Sequence, residues 1–306
     1  MRCTIGLSCD DARLFRALAR WLEHTGLEPP GELTLDVRAA DTAPPPDARP
    51  PFRQPGVVVR SGPPEGGVRL WWEVAPAFAE LAPGTAVARV TLSRAAIRQL
   101  DLCTGSFLMT VLVFLLRRAG WHHVHAATAV DPATGRGWLI AGDAAAGKST
   151  TAALLATRGW GVGTDDLAFL TAGVEGRVTV AACRAPIALR VGGRRLLRLI
   201  GGSPRAERDK FTFWPEELGG VWAPRVAPDV ILFPSIGDGR TTATALAPPK
   251  ALAELVRWSA WVVLEPELAQ AHLDLLGALA RQARAFRVTL GRDLFDHPDR
   301  LAELVA

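Results

Sequence analysis

The sequence has few of the residues that build a disulfide framework or a metal cluster. Its 306 residues include only Cys3, Cys9, Cys103 and Cys183, and the closest pair is six positions apart, which is not a usual zinc spacing. Free thiols in a reducing cytosol are therefore the expected state of these cysteines. We accordingly expect a cytoplasmic protein.

Long apolar runs are also lacking. The most apolar run, Phe107–Leu116, has ten residues, about half of what spans a bilayer, so it predicts a buried core helix. Met1–Asp10 does not contain the apolar stretch of a signal peptide. These two observations predict a protein without a membrane partner.

Positive charge is not concentrated anywhere in the chain. The formal net charge is +4, and no block of five or six basic residues occurs, so the sequence predicts no nucleic-acid partner. Lysine is scarce, because the 35 basic residues include only Lys148, Lys210 and Lys250. Arginine cannot replace the compact lysine cation, so a lysine retained in an arginine-rich sequence hints at a functional role.

Element patterns divide the chain into two parts. Residues 1–92 are predicted to form a smaller β-rich domain, in which the proline-rich segment 43–56 excludes regular structure. Residues 93–118 are predicted to be a connecting helix. In residues 119–306 short apolar strands alternate with helices, which predicts an α/β domain.

The strongest signal in that second part is Gly142–Ser149, which matches G-x-x-x-x-G-K-[ST] at every position. A predicted strand, Gly137–Ala141, enters this segment, and a predicted helix leaves it and closes at Gly159. Such loops bind phosphate through backbone N–H groups, and the helix N-terminus adds partial positive charge. The expected nucleotide-binding residues are Gly142, Asp143, Ala144, Ala145, Ala146, Gly147, Lys148, Ser149 and Thr150.

Two side chains of this loop have distinct expected roles. Lys148 should reach the β- and γ-phosphates of ATP, and the Ser149 hydroxyl should ligate Mg²⁺. ATP and Mg²⁺ are therefore the expected cofactors. Many such loops have a further glycine where this one has Ala144–Ala146, so we expect these alanines to keep ordinary φ angles. A Gly/Ala-rich turn with a chance lysine is the alternative interpretation.

Two adjacent carboxylates, Asp165 and Asp166, begin 17 residues after Lys148. They follow Trp160–Val162, which could be the strand beside the loop strand. Beside a bound triphosphate, one carboxylate would bind the metal and the other would orient or deprotonate the attacking hydroxyl. Like charges side by side also raise one pKa, which favours a base. The alternative is an Asx-type turn at Asp166.

Three histidines, His122, His123 and His125, precede the loop. On a strand, His123 and His125 share one face. No cysteine or acidic residue accompanies them locally, which disfavours a zinc site. A single histidine that contacts the acidic pair or the substrate hydroxyl is the functional interpretation, and a structural role is the alternative.

Taken together, His125, Gly142–Ser149, Arg158-Gly159 and Asp165-Asp166 resemble the catalytic domain of the HPr serine kinase/phosphorylase family. The resemblance implies an α/β P-loop domain of the HPr kinase/phosphoenolpyruvate carboxykinase type behind a smaller β-rich N-terminal domain. It also implies site roles: Asp165 as catalytic base, His125 as its hydrogen-bond partner, Lys148 as phosphate clamp, and Asp166 with Ser149 as metal ligands.

The chain also departs from the family pattern. Ala126 stands where the family has glycine, and the N-terminal region does not resemble the usual N-domain, so HPr itself is not the expected substrate. The family's substrate signature is not legible, which leaves Lys210, Arg184 and Arg194 as substrate-binding candidates.

The expected activity is transfer of the γ-phosphate of ATP to a hydroxyl, either a serine of a peptide or protein or a small molecule. Two other functions stay open. The chain could be a non-catalytic ATP-binding partner in a peptide-modification system, or a carboxykinase-like enzyme acting on a small acid. Homo-oligomerisation is left open as well.

Overall fold

The computed structural model describes residues 5–29, 32–41, 52–54, 56–61, 66–190, 205–207 and 210–306. The chain divides into two compact units, Met1–His122 with Trp261–His272, and His123–Ala260 with Leu273–Ala306. The protein has a mixed α/β fold with several sheets.

The first unit contains a seven-stranded sheet in the order β1-β2-β7-β6-β5-β4-β3. Its strands are β1 (Gly6–Cys9), β2 (Thr34–Ala39), β3 (Phe52–Gln54), β4 (Val57–Ser61), β5 (Val68–Trp72), β6 (Ala77–Leu81) and β7 (Val87–Leu92). β2 pairs in parallel with β1 and β7, and the other neighbours are antiparallel. Buried and less buried residues alternate along β5 and β6, which is the pattern of strands with one face on a core.

A helix, α1 (Ala12–Thr25), follows β1, and the sequence interpretation of this region as strand-rich was wrong here. The Asp11 carboxylate caps its N-terminus by accepting hydrogen bonds from the amides of Arg13 and Leu14 at 2.8 and 2.7 Å. Gly26 ends the helix in the left-handed conformation, with φ of 64°. An N-cap aspartate and a terminal glycine are readable helix signals.

Strand β3 lies inside the segment 43–56, and the expectation of no regular structure is wrong at its three residues. The prolines at 51 and 55 flank β3 directly. Because β3 is at the edge of its sheet, one side of its ladder needs no partner, and proline is tolerated next to such a strand. Residues 42–51 and 55 lie outside the described residues.

The predicted connecting helix consists of α2 (Arg94–Arg98), α3 (Leu100–Cys103), a π-helical turn at Thr104–Leu108 and α4 (Met109–Arg117). By length and composition, Leu100–Arg117 could cross a membrane, and it is the one such stretch in the described part of the chain. Within the structure, 61% of it is buried. Apart from the half-buried Met109, the apolar side chains of Phe107–Leu116 are buried, as the sequence predicted.

The second unit is built on a ten-stranded sheet whose main path is β17-β12-β11-β8-β9-β18-β20-β19. The strands are β8 (His122–Val130), β9 (Gly137–Ala141), β10 (Gly161–Val162), β11 (Leu167–Ala172), β12 (Val178–Ala182), β16 (Val221–Trp222), β17 (Arg225–Val226), β18 (Pro228–Ile236), β19 (Thr242–Leu246) and β20 (Arg284–Leu290). The described helices are α5 (Lys148–Ala156), α6 (Pro248–Arg257), α7 (Pro266–Gln282), which begins in the first unit, and α8 (Arg300–Val305).

The neighbours of β9 differ from the sequence expectation. β9 lies between β8, antiparallel, and β18, parallel, whereas β10 pairs with β8 and β16. The placement of Trp160–Val162 beside the loop strand is therefore wrong. Ala129 and Val130 of β8 pair with β9 on one edge and with β10 on the other. Beside them, the Thr128 amide donates to the Thr164 carbonyl at 3.0 Å. The strand that carries His125 thus also fixes the turn before the acidic pair.

A separate three-stranded sheet has the order β13-β15-β14, with β13 (Ile187–Arg190), β14 (Arg205–Glu207) and β15 (Lys210–Phe213). All its pairings are antiparallel. Ile187 and Leu189 are buried in the same core cluster as the apolar side of α5. Alternation along β13 therefore directs Ala188 and Arg190 to the opposite face.

Candidate functional site

A cavity of about 670 Å³ in the second unit brings together the glycine-rich loop, the start of α5 and the acidic pair. Its volume lies in the range of small-molecule and cofactor sites. The predicted site residues that line it are His125, Ala144, Ala145, Gly147, Lys148, Ser149, Thr150, Asp165, Asp166 and Lys210.

The loop between β9 and α5 curls around the ammonium group of Lys148. The Lys148 Nζ donates to the carbonyls of Gly142 and Asp143, both at 3.0 Å, and only 6% of this residue is exposed. Gly147 has φ of 105°, and a Cβ there would lie 2.4 Å from the Leu290 Cδ1. The backbone conformation therefore requires glycine at position 147, whereas the contact with the Leu290 methyl could be relieved by a shift of that side chain.

Two amides of the loop already have acceptors within the protein. The Ala144 amide donates to the Asp143 carboxylate at 2.7 Å, and the Ala146 amide donates to the Asp143 carbonyl at 3.2 Å. An anion bound in the loop would have to use other amides or replace the Asp143 carboxylate at Ala144.

One loop alanine departs from the expected ordinary backbone. Ala145 has φ of 65°, in the left-handed region, so the expectation for Ala144–Ala146 is wrong at this residue. The Cβ of an L-residue in that conformation costs on the order of 1–2 kcal/mol. Of the three alanines, only Ala145 therefore has a backbone conformation that favours glycine over alanine.

We therefore predict opposite outcomes for two substitutions in this loop. Ala145→Gly relieves about 1–2 kcal/mol of strain and loses about 0.4–1 kcal/mol through the unfolded state, so its Tm should equal or exceed that of the wild type. Ala144→Gly is the matched control. It relieves no backbone strain and has only the loss through the unfolded state, so it should lower the Tm. Calorimetry of the two variants measures the difference, and equal losses of Tm would contradict the assigned strain.

A hydrogen-bonded chain links the loop lysine to the acidic pair. The Lys148 Nζ lies 2.8 Å from the His125 Nε2, and the His125 Nδ1 lies 2.9 Å from the Asp166 Oδ1. Because the lysine can only donate, Nε2 accepts and Nδ1 carries the proton donated to Asp166. The predicted partner of His125 was Asp165, so that expectation is wrong. The two carboxylates are adjacent, and only the side chain of Asp166 turns toward β8.

Asp165 is the buried member of the pair, with 6% of the residue exposed. Its Oδ2 accepts a hydrogen bond from the Ala188 amide at 2.9 Å, and its Oδ1 is a buried acceptor without a hydrogen-bond donor in the described part of the structure. Burial raises the pKa of Asp165 to about 6, although the Ala188 amide and the Ser149 side chain oppose the shift. This carboxylate is therefore a stronger base than an ordinary aspartate.

Asp166 lies at the cavity mouth, with 59% of its side chain exposed. Partial burial would raise its pKa, but the hydrogen bond from His125 and the charge of Lys148 outweigh burial and hold the pKa below its usual range. Lys148 is affected in turn, because burial lowers its pKa despite the nearby carboxylates. The environments thus shift the pKa values of the two aspartates in opposite directions.

We predict that the buried charge of Asp165 destabilises the nucleotide-free protein at neutral pH. The folded-state pKa of about 6 lies above the ordinary 3.8, so stability falls as pH rises from about 4 through about 6. The cost at pH 7 is on the order of 3 kcal/mol. Asp165→Asn removes it, so the Tm of that variant should exceed the wild-type Tm by several degrees at pH 7 and match it near pH 4. A constant Tm difference across this pH range would contradict the prediction.

The three substrate-binding candidates have different outcomes. Lys210 lines the cavity at the start of β15. Arg184 does not line it. Its guanidinium lies over the rings of Trp214 and Trp222 at 5.4 and 5.1 Å and pairs with Glu216 at 3.3 Å. Arg194 lies outside the described residues.

Several cavity residues were not found from the sequence. Arg190, Asp238 and Arg292 add charged groups to the lining, and the Ala188 amide binds Asp165. The apolar part of the lining includes Ile236, Leu290, Leu294 and Phe295. The alternation of residues along Ile187–Arg190 is the one sequence signal for Arg190. The other residues come from distant segments without a motif.

The other two histidines of the sequence cluster, His122 and His123, do not line the cavity, although the charge of His123 contributes to the lowered pKa of Asp166. His122 stacks on His272 in the first unit, and burial together with Arg117 lowers the pKa of His122 to about 4. The His123 ring packs edge-on against Phe169 at 5.8 Å. No group of three or more metal-ligating His, Cys, Asp or Glu side chains occurs among the residues the structure describes. Cys9, Cys103 and Cys183 are free thiols, and Cys3 lies outside those residues.

No family model matches the sequence, and no curated protein matches it. Among solved structures, the chain is similar to the HPr(Ser) kinase/phosphatase from Coxiella burnetii, with a TM-score of 0.34 and 13% sequence identity over 60% of this chain and 88% of that one. A likeness at this level does not establish an activity.

Proposed function

We propose that the chain is an ATP-dependent kinase that transfers the γ-phosphate to a hydroxyl. One observation carries the proposal: a buried lysine under a glycine-rich loop and two carboxylates with separated pKa values line the same cavity. Phosphoryl transfer requires these groups, a cation for the phosphates and a base for the acceptor. A serine of a peptide or protein is the acceptor we favour.

The lining of the cavity favours one orientation for a bound nucleotide. Its phosphates would lie at the loop and at the N-terminus of α5, where partial positive charge and Lys148 favour anions. The nucleoside would then lie toward Ile236, Leu290 and Leu294, whose apolar side chains line the same cavity. This orientation directs the γ-phosphate toward the acidic pair.

The side chains present also fit a magnesium ion. Mg²⁺ prefers oxygen ligands, and the Ser149 hydroxyl and the Asp166 carboxylate, which the lowered pKa keeps ionised, both line the cavity. The buried Asp165 Oδ1, which lacks a donor in the described structure, also fits a site completed by a ligand. When bound there, Mg²⁺ would offset the negative charge of the phosphates.

Asp165 would then act as the base. It takes the proton of the acceptor hydroxyl while the hydroxyl oxygen forms a bond to the γ-phosphorus and the bond to the bridging oxygen of ADP breaks. With a pKa of about 6 it is still ionised at pH 7, yet it holds a proton better than an ordinary aspartate. Lys148 would stabilise the charge on the phosphoryl oxygens.

The test is incubation of the full chain with ATP, Mg²⁺ and serine-containing peptides. Mass spectrometry should find a peptide with one added phosphate group, and ADP should form in equal amount. Binding of ATP without transfer to any peptide or small hydroxyl compound would instead favour a non-catalytic ATP-binding partner. Failure to bind any nucleoside triphosphate would reject both functions.

A further inference from the structure

Two cations lie directly opposite each other in the wall of the cavity. Arg190 on β13 pairs in register with Lys210 on β15, both are exposed, and both line the cavity. Like charges placed directly opposite each other in an antiparallel pair destabilise a sheet. Neither cation forms an ion pair with a carboxylate among the residues whose side chains the structure describes, which do not include Glu207, the register partner of Lys210 on β14. The repulsion between the two cations would be reduced if an anion bound between their side chains.

The pair is tied to the proposed base through one strand. The Ala188 amide donates to Asp165 at 2.9 Å, and Arg190 follows two residues later on the same face of β13. Two residues of a strand span about 7 Å. In an extended peptide, a residue and its second neighbour are also about 7 Å apart. If the acceptor hydroxyl lies at Asp165, a peptide residue two positions away would therefore lie near the two cations.

We propose that Arg190 and Lys210 bind a carboxylate of the phosphoryl acceptor, one or two residues from the hydroxyl that is phosphorylated. This inference rests on the proposed kinase function and names its substrate class as an acidic, hydroxyl-bearing peptide. We assign the two cations to the acceptor rather than to the nucleotide for two reasons. The loop and Lys148 already provide the positive charge for the phosphates, and β13, which carries Arg190, contacts Asp165 and does not belong to the loop. The carboxylate belongs to an Asp or Glu side chain or to the end of the peptide chain.

The experiment measures peptide binding apart from catalysis. The full chain, with Mg²⁺ and a non-hydrolysable ATP analogue, is titrated with fluorescent serine peptides that carry Glu, Gln or Lys two positions from the serine. Parallel peptides with a free or an amidated C-terminus distinguish the two sources of the carboxylate. We expect the Glu peptide, or the peptide with the free terminus, to bind about tenfold more tightly than its neutral counterpart.

Charge reversal assigns the preference to the two cations. In the double variant Arg190→Glu/Lys210→Glu, the Lys peptide should bind more tightly than the acidic ones, while the affinity for the ATP analogue stays within about twofold. The matched control is Arg281→Glu/Lys250→Glu, which has the same change of net charge at exposed residues that do not line the cavity. This control should keep the wild-type preference.

Three results would overturn the inference. The wild type could bind acidic and neutral peptides equally, or the double variant could keep the preference for acidic peptides. The double variant could also lose affinity for the ATP analogue instead of losing the peptide preference. Charge-dependent binding without any phosphoryl transfer would reject the kinase function and leave the binding site for acidic peptides established.

Discussion

Asp165→Asn should lower phosphoryl transfer by a factor on the order of 10²–10⁴ while Mg²⁺ and ATP still bind. The amide keeps the shape of the carboxylate and can still accept the hydrogen bond of the Ala188 amide, but it cannot take the proton of the acceptor. The loss should therefore fall on kcat rather than on the KM for ATP. Steady-state kinetics with the best peptide acceptor measures both quantities.

The control for this variant is Asp101→Asn, which makes the same chemical change at an exposed residue of α3 in the first unit. It should transfer phosphate at the wild-type rate. Transfer at the wild-type rate by Asp165→Asn would show that another group, with Asp166 the nearest candidate, accepts the proton.

Lys148→Met should raise the Kd for Mg²⁺ and ATP by a factor on the order of 100. The lysine is the buried cation at the loop, and each charge-assisted hydrogen bond that it makes to phosphate oxygens contributes about 1.5–3 kcal/mol. Methionine keeps most of the length and the apolar stem but has no charge. Calorimetric titration with Mg²⁺ and ATP gives the Kd directly.

The matched control is Lys250→Met, because Lys250 is exposed and does not line the cavity. Its Kd should equal that of the wild type. If Lys148→Met bound the nucleotide as tightly as Lys250→Met, the phosphates would have to lie away from the loop, and the proposed orientation of the nucleotide would be wrong.

Local patterns predicted the frame of the site well. The strand Gly137–Ala141 begins and ends where the sequence placed it, and α5 follows the loop directly. A short apolar run, a glycine-rich turn and a helical pattern are all local signals, because each depends on a few neighbouring residues. The helix ends earlier than predicted, with Thr157 rather than Gly159 at its C-cap. The coincidence of loop and acidic pair in one cavity was also expected from their types and spacing.

Long-range pairing was less accessible. The sequence gives no sign that β10 pairs with β8 rather than β9, or that Arg190 lies opposite Lys210, because strand order and register depend on the whole sheet. The partner of His125 was assigned by resemblance to the wrong one of two adjacent carboxylates. The sequence does not show which of the two side chains points toward β8. The catalytic, metal and nucleotide roles of the site residues stay predictions.

The central claim is that Lys148 binds the terminal phosphates of a nucleotide that lies beside the two carboxylates. A crystal structure of the chain with Mg²⁺ and a non-hydrolysable ATP analogue tests it most directly. We predict that the Lys148 Nζ leaves the Gly142 and Asp143 carbonyls for phosphate oxygens, with Asp165 facing the γ-phosphate. An analogue bound outside this cavity, or phosphates remote from both Lys148 and Asp165, would contradict the account.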